Sequence, residues 1–130
     1  MIDHVSITVN DVAASAPFSD AVMAALRLPC VWRETAAIGY GLRSTPEREA
    51  PGNITVREAP GVLADRRHWA FRAADRATVR AFHAAGLAAG GRDDGAPGLR
   101  PHYHAAYYGA FLLDPDGNRI EAVCHLPCPA

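Results

Sequence analysis

The chain has 130 residues, 49% of them hydrophobic and 21% charged, with a formal net charge of −1. This composition is that of an ordinary globular domain. The near-neutral charge argues against a nucleic-acid partner, and no apolar segment approaches the ~20 residues that span a bilayer, so no membrane partner is expected. Three cysteines are too few for a disulfide framework and no signal-like segment opens the sequence, which favours a cytoplasmic location.

The sequence nearly repeats itself at an offset of 64 positions. The alternating segment His4–Val9 is matched by His68–Ala73, and an acidic residue, Asp11 or Asp75, follows each copy. Each copy then continues into an Ala-rich stretch, the pattern of a helix with an acidic N-cap. The period is too long for a solenoid repeat, so it indicates a duplication that places a histidine at the same point of two equivalent strands.

In chain order, the periodicity predicts two copies of one strand, one helix and three strands. The first copy has strands at 3–9, 31–35, 38–43 and 53–58 and a helix from Asp11 to about Arg27. After a connector at 59–66, the second has a strand at 68–73, a helix from Asp75 to about Ala89, a short strand with a loop at 92–100, and strands at 107–113 and 119–124. Asp116-Gly117 between the last two strands is a strong hairpin signal.

These elements predict an α+β fold made of two βαβββ modules, residues 1–60 and 61–130, within one structural domain. The eight strands are expected to form a partly open, barrel-like cavity with the helices outside. Apolar strand faces should pack on the helices, while the polar faces line the cavity.

Three strands each place one potential metal ligand on their polar face, namely His4, His68 and Glu121. Two imidazoles and one carboxylate with open positions would suit one divalent ion of iron, manganese, nickel or zinc. The alternative for an isolated histidine at a strand start is a surface or capping role. The matching positions in two copies favour a shared site.

Three segments carry a resemblance to a known family: His4 to Asp11, His68 to Phe71, and the run Asp114-Pro115-Asp116-Gly117-Asn118-Arg119-Ile120-Glu121. The chain resembles the vicinal oxygen chelate superfamily, which includes glyoxalase I, extradiol dioxygenases, and fosfomycin- and bleomycin-resistance proteins. The resemblance implies that His4, His68 and Glu121 are the metal ligands. It also implies a homodimer in which His4 of one subunit lies near His68 and Glu121 of the other.

The fourth predicted strand departs from the glyoxalase I pattern, in which a further ligand or base stands inside that strand. Its only acid here is Glu58, at its end, and an inward Glu58 would bring Ile54 and Val56 inward as well. Those two residues are expected to form an apolar substrate wall. Glyoxalase-type isomerisation is therefore in doubt, because it needs a base beside the metal.

Residues 100–108 are rich in aromatic and hydrogen-bonding groups and are expected to form a mobile loop over the cavity, with Tyr103 or Tyr107 touching substrate. On a strand, His102 and His104 would face the same way and could hold a metal themselves; a solvated aromatic loop is the other alternative. Arg72 or Arg119 could bind an anionic substituent in bidentate fashion. His83, on the second helix, is expected at the surface.

The sequence thus predicts a metalloenzyme acting on a small oxygen-chelating substrate, of lyase, isomerase or ring-cleaving dioxygenase type. The alternative is a metal-free protein that binds a small molecule or antibiotic in the same cavity, lined by Trp32, Trp69 and the tyrosines. One scaffold hosts all of these activities, so the fold does not select among them.

Overall fold

The computed structural model describes residues 1–61 and 67–127 and confirms the α+β fold with two βαβββ units. The first unit contains β1 (His4–Val9), α1 (Val12–Ala25), β2 (Cys30–Glu34), β3 (Ala37–Gly41) and β4 (Asn53–Glu58). The second contains β5 (His68–Arg72), α2 (Arg76–Ala88), β6 (Arg92–Leu99), β7 (Tyr108–Leu113) and β8 (Arg119–Cys124). Part of the expected connector at 59–66 lies outside the described residues.

The two sheets have the same topology. Their strand orders are β1-β4-β3-β2 and β5-β8-β7-β6, with the first pair parallel and the other pairs antiparallel in each. Within the described residues, no hydrogen-bonded strand pair joins one sheet to the other, so the strands do not close into a barrel. The equal topology is what a duplicated unit would produce, and β1 and β5 are the equivalent edge strands.

Both helices begin where the sequence predicts an acidic cap. The Asp11 carboxylate accepts the Ala14 N–H at 2.9 Å, and Asp75 accepts the Thr78 N–H at 2.7 Å, each satisfying an otherwise unpaired donor of a first turn. The hydrogen bond from the Thr78 backbone lowers the pKa of Asp75. Neither helix of the described chain is long and apolar enough to cross a bilayer.

The core lies between the helices and the apolar strand faces, and α1 and α2 pack against each other. Gly86 allows their close approach, because a Cβ there would lie 2.3 Å from Leu112 Cδ1 and 3.1 Å from Val22 Cγ1. Ile7 and Val9 are buried, whereas His4 and Ser6 on the opposite face of β1 are exposed. The period-two pattern of this strand therefore predicted its buried face correctly.

Three interpretations of the sequence were wrong in detail. Residues 92–99 form one strand, β6, whose pairing with β7 is irregular on both sides of Gly95, rather than a short strand with a loop. Val56 is buried in the hydrophobic core and is not part of a substrate wall, whereas Ile54 belongs to the core and also borders a surface groove next to His4. His83 is buried, and its Nε2 lies 2.9 Å from Asp93 Oδ1.

Candidate functional site

The polar face of the second sheet brings His68 and Glu121 together. Strands β5 and β8 run parallel with Ala70 opposite Glu121, so His68 and Glu121 lie diagonally on one face. His68 Nε2 lies 2.7 Å from Glu121 Oε2, the distance of a charge-assisted hydrogen bond. The Glu121 side chain is 1% exposed and that of His68 is 37% exposed, so the imidazole lies between the buried carboxylate and solvent.

Tyr107 completes the hydrogen bonding of this carboxylate. Its phenol donates to Glu121 Oε1, so both carboxylate oxygens have a partner. Burial, followed by the hydrogen bond to Glu121, raises the pKa of Tyr107 well above its usual value, which keeps the phenol protonated as a donor near neutral pH. Gly109 leaves room for this contact, because a Cβ there would lie 3.1 Å from Glu121 Oε1 and 3.2 Å from Tyr107 Cε1.

His4 does not join this pair within the chain. Its side chain is 65% exposed, and its Nδ1 lies 2.6 Å from Asp3 Oδ1. It lines a groove of about 360 Å³ between β1 and β5, together with Trp69, Phe71 and Arg72. Across residues 1–61 and 67–127, no three His, Cys, Asp or Glu side chains converge into a metal-binding group. One chain alone therefore assembles two of the three expected ligands.

In the first sheet, neither β1 nor β4 carries a carboxylate on the face that bears His4; the only strand carboxylate there is that of Glu34, on the edge strand β2. The register of β1 and β4 places Asn53, Thr55 and Arg57 on that face. Trp32 covers its centre, since its indole fills the space where a Gly39 Cβ would stand. Glu58 instead accepts the Val12 N–H at 2.9 Å, at the start of α1. A base inside β4, as in glyoxalase I, is therefore missing from this face.

The remaining predicted residues lie around the second sheet. Arg72 is exposed at the end of β5 and lines the groove that contains His4. Arg119 donates its Nε to Asp94 Oδ2 at 2.7 Å, and its guanidinium carbon lies 4.6 Å from the Phe111 ring centroid. Tyr103 is 59% exposed and stacks near Tyr107, with 4.7 Å between ring centroids.

Residues 101–106 form turns, so the strand that would have aligned His102 with His104 is absent there. His104 Nε2 lies instead 2.9 Å from His125 Nδ1, and His104 Nδ1 accepts the Ala106 N–H at 3.1 Å. Both imidazoles also contact the Tyr107 ring edge-on, with centroid distances of 5.6 and 5.2 Å. This histidine pair therefore helps to position Tyr107. The segment Cys124-His125-Leu126-Pro127-Cys128 superficially suggests a metal site, but its spacing matches no standard zinc pattern, and Cys128 lies outside the described residues.

Arg100, the first residue of the segment 100–108 expected over the cavity, was not singled out from the sequence as a residue of this face. Its guanidinium folds back from the turn region and lies with its carbon 5.5 Å from the Phe111 ring centroid. The available signal was the pair of glycines in β6, Gly95 and Gly98. A Cβ at either position would lie 3.2 Å from an Arg100 guanidinium nitrogen.

A larger concavity, of about 540 Å³, lies elsewhere, beside α1 and β2. Its polar groups satisfy one another, because Asp20 accepts from Tyr40 at 2.6 Å and from Arg33 at 2.8 Å. Burial, followed by the hydrogen bond to Asp20, raises the pKa of Tyr40. Its size alone does not make it the site, and the chemistry described above lies on the second sheet.

Comparisons with known proteins identify the family and the fold. A family model described as the Glyoxalase/Bleomycin resistance protein/Dioxygenase superfamily matches residues 1–122. A glyoxalase/bleomycin resistance protein from Albidiferax ferrireducens T118 is 31% identical, with a TM-score of 0.78 over 98% of this chain and 99% of the other. A search of curated proteins finds no match.

Two more distant structures share the fold. A glyoxalase/bleomycin resistance protein/dioxygenase family enzyme from Burkholderia phytofirmans PsJN is 19% identical, with a TM-score of 0.68 over 96% of this chain and all of the other. An E144Q mutant of glyoxalase I from Zea mays is 20% identical, with a TM-score of 0.65. That match covers 95% of this chain and 46% of the maize chain.

Proposed function

Because the chain belongs to the glyoxalase/bleomycin resistance protein/dioxygenase superfamily, we propose that it is a metal-dependent enzyme. Its substrate would be a small organic molecule that presents two adjacent oxygen atoms. The reaction class would be that of a lyase, an isomerase or a ring-cleaving dioxygenase. The missing carboxylate on the His4 face of β4 disfavours the glyoxalase type of isomerisation among these.

The contact between His68 and Glu121 is the observation that carries the proposal. The two atoms that a metal would need, Nε2 and Oε2, already face each other across 2.7 Å in a half-buried position. Metal binding to protonated ligand groups displaces protons, so an ion would take the place of the hydrogen between them. Tyr107 would keep the second carboxylate oxygen in a fixed orientation, a role that outer hydrogen bonds commonly have at metal sites.

We propose that His4 of the partner subunit supplies the third ligand. Within one chain His4 is exposed and lies in a groove that is lined by β5 from Trp69 to Arg72 but not by His68. A homodimer with two-fold symmetry would form two equivalent sites at once. Each would combine one His4 with the His68–Glu121 pair of the other chain.

The bound ion, whether iron, manganese, nickel or zinc, would act as a Lewis acid on a substrate oxygen. Glu121 and His68 would hold it together with His4 of the partner subunit, while Tyr107 fixes the carboxylate. We also propose a cytoplasmic location, in keeping with free thiols at Cys30 and Cys124.

One observation favours the second candidate, metal-free binding of a small molecule. Glu121 is buried with both oxygens already hydrogen-bonded, so its burial does not require a cation. A metal-free protein would bind its ligand at the same site on the second sheet, by stacking and hydrogen bonding. Metal content discriminates between the two functions.

The test is retention of metal by gently purified protein reloaded separately with iron, manganese, nickel and zinc. We expect about one ion per chain, lost in a control carrying His4→Ala, His68→Ala and Glu121→Ala together. Wild-type protein that holds no more of any of the four metals than this triple variant would reject the metalloenzyme and leave the binding protein as the function.

A further inference from the structure

Arg100 occupies a place that the fold prepares for a guanidinium. Its Nη2 donates to the Ala96 carbonyl at 2.8 Å and its Nη1 to the Leu99 carbonyl at 3.4 Å. A Cβ at Gly95 or Gly98 would lie 3.2 Å from one of these nitrogens. The two glycines of β6 therefore provide the space in which the side chain lies near the Phe111 ring.

Arg100 has no carboxylate partner for its charge among the residues that the structure describes. The residue is half-buried, and its hydrogen-bond acceptors are neutral carbonyls. A partly desolvated cation with neutral partners gains from a bound anion, because the anion compensates for the water that the cation has lost.

Arg119 brings a second guanidinium to the same aromatic ring. The guanidinium carbons of Arg100 and Arg119 lie 5.5 and 4.6 Å from the Phe111 ring centroid, and the centroid of the His68 ring lies 5.8 Å from it. Because Phe111 stands opposite Glu121 in the register of β7 and β8, both cations flank a ring on the face that carries the His68–Glu121 pair. Asp94 pairs with Arg119 through Nε and neutralises one of the two positive charges. The Glu121 carboxylate is already bound by His68 and Tyr107, so the Arg100 guanidinium is left to bind a single carboxylate.

We propose that Arg100 and Arg119 form an anion-binding subsite over Phe111, and that the ligand of the neighbouring site carries a carboxylate group. Guanidinium groups bind carboxylates through two parallel hydrogen bonds, which fixes orientation as well as adding affinity. That the same ligand also presents two adjacent oxygen atoms rests on the proposed function. The carboxylate subsite itself needs only residues of one chain and no metal.

Two probes that differ only in a carboxylate test the subsite, namely 3,4-dihydroxybenzoate and catechol. Calorimetry or NMR titration would measure the binding of both to metal-stripped protein and to protein reloaded with zinc. The variants are Arg100→Gln and Arg119→Gln, and the control is Arg43→Gln, which removes the same charge at an exposed position outside the second sheet. Thermal melting of each variant checks that it folds.

We expect wild type to bind 3,4-dihydroxybenzoate about tenfold more tightly than catechol, the usual effect of a hydrogen bond to a charged group. Arg100→Gln and Arg119→Gln should each remove most of this preference, and Arg43→Gln should leave it intact. In wild type the preference should also fall as ionic strength rises from about 0.02 to about 0.2 M, because salt screens exposed charges. This last measurement does not depend on the folding of any variant.

Equal binding of the two probes by wild type, or a preference that persists in both arginine variants, would overturn the subsite. The same holds if 3,4-dihydroxybenzoate shows no measurable binding at millimolar concentration. A carboxylate preference in metal-stripped protein that also fails to retain metal would reject the proposed enzyme and leave the subsite standing. Metal retention without a preference for the carboxylate probe would reject the subsite and leave the proposed enzyme standing.

Discussion

Tyr107 helps to fix the geometry of the Glu121 carboxylate. It donates to one carboxylate oxygen while His68 holds the other, and Glu121 is almost completely buried. Replacing Tyr107 with phenylalanine would leave a buried acceptor without its donor. We expect a loss of about 1–2 kcal/mol in the free energy of unfolding.

Chemical denaturation monitored by circular dichroism measures this loss. Tyr103→Phe is the matched control, because Tyr103 is exposed and its hydroxyl has no hydrogen bond to another described residue. That variant should change stability by less than about 0.5 kcal/mol. Equal effects of the two substitutions would show that the Tyr107 hydrogen bond contributes nothing to stability.

Alternation of side chains along the strands predicted some residues of the site and missed others, for a definite reason. It placed His68 and Glu121 on one face, and the parallel register of β5 and β8 brings them into contact. Alternation did not predict the position of Arg100, because this residue reaches the face from a turn, where the period-two pattern of a strand does not apply. The burial of His83 was not predicted, because its acidic partner, Asp93, comes from a different element, β6.

The hairpin between β7 and β8 links the two units of the fold. The Asn118 side chain donates to the Thr8 carbonyl at 2.9 Å and to Asp114 Oδ2 at 2.8 Å, so it joins the turn to β1. Asp116 adds a second link, accepting from the Asn10 side chain at 2.8 Å. Burial raises the pKa of Asp114, while hydrogen bonds from Asn118 and Asp116 oppose that rise.

Asn118→Ala should therefore lower the free energy of unfolding by about 1–3 kcal/mol, since it leaves two part-buried acceptors without a donor. Asn53→Ala is the control, because the Asn53 side chain makes no hydrogen bond to another described residue. Thermal and chemical unfolding of both variants measure the difference. A change for Asn118→Ala as small as for Asn53→Ala would contradict this role of the hairpin.

The sequence predicted the presence of the helices and strands better than it predicted their lengths and their pairing partners. The acidic caps located both helices, because Asp11 and Asp75 are chemically suited to the first N–H groups. The length of β6 was underestimated, since Gly95, Pro97 and Gly98 are typical turn residues. The pairing of β6 with β7, which overrides those local preferences, is a tertiary effect that local patterns do not report.

For the whole molecule, the duplication predicted two equal units but not how their faces meet. Alternation assigns a side chain to one face of its own sheet, and it gives no information on which faces of different sheets come together. His4 and His68 are equivalent residues, yet the described chain brings only His68 to Glu121. A site completed by a partner subunit accounts for both observations and remains a prediction.

Subunit exchange between His4→Ala and Glu121→Ala proteins tests this claim most directly. Each variant homodimer lacks one ligand type at both sites, whereas a mixed dimer would regain one complete site from the intact His4 of one chain and the intact His68 and Glu121 of the other. After full statistical exchange, we expect metal content to recover to about a quarter of the wild-type value. A mixture of His68→Ala and Glu121→Ala proteins is the control, because those ligands belong to the same chain and cannot complement. Exchanged mixtures that recover no more metal than this control would contradict the shared site.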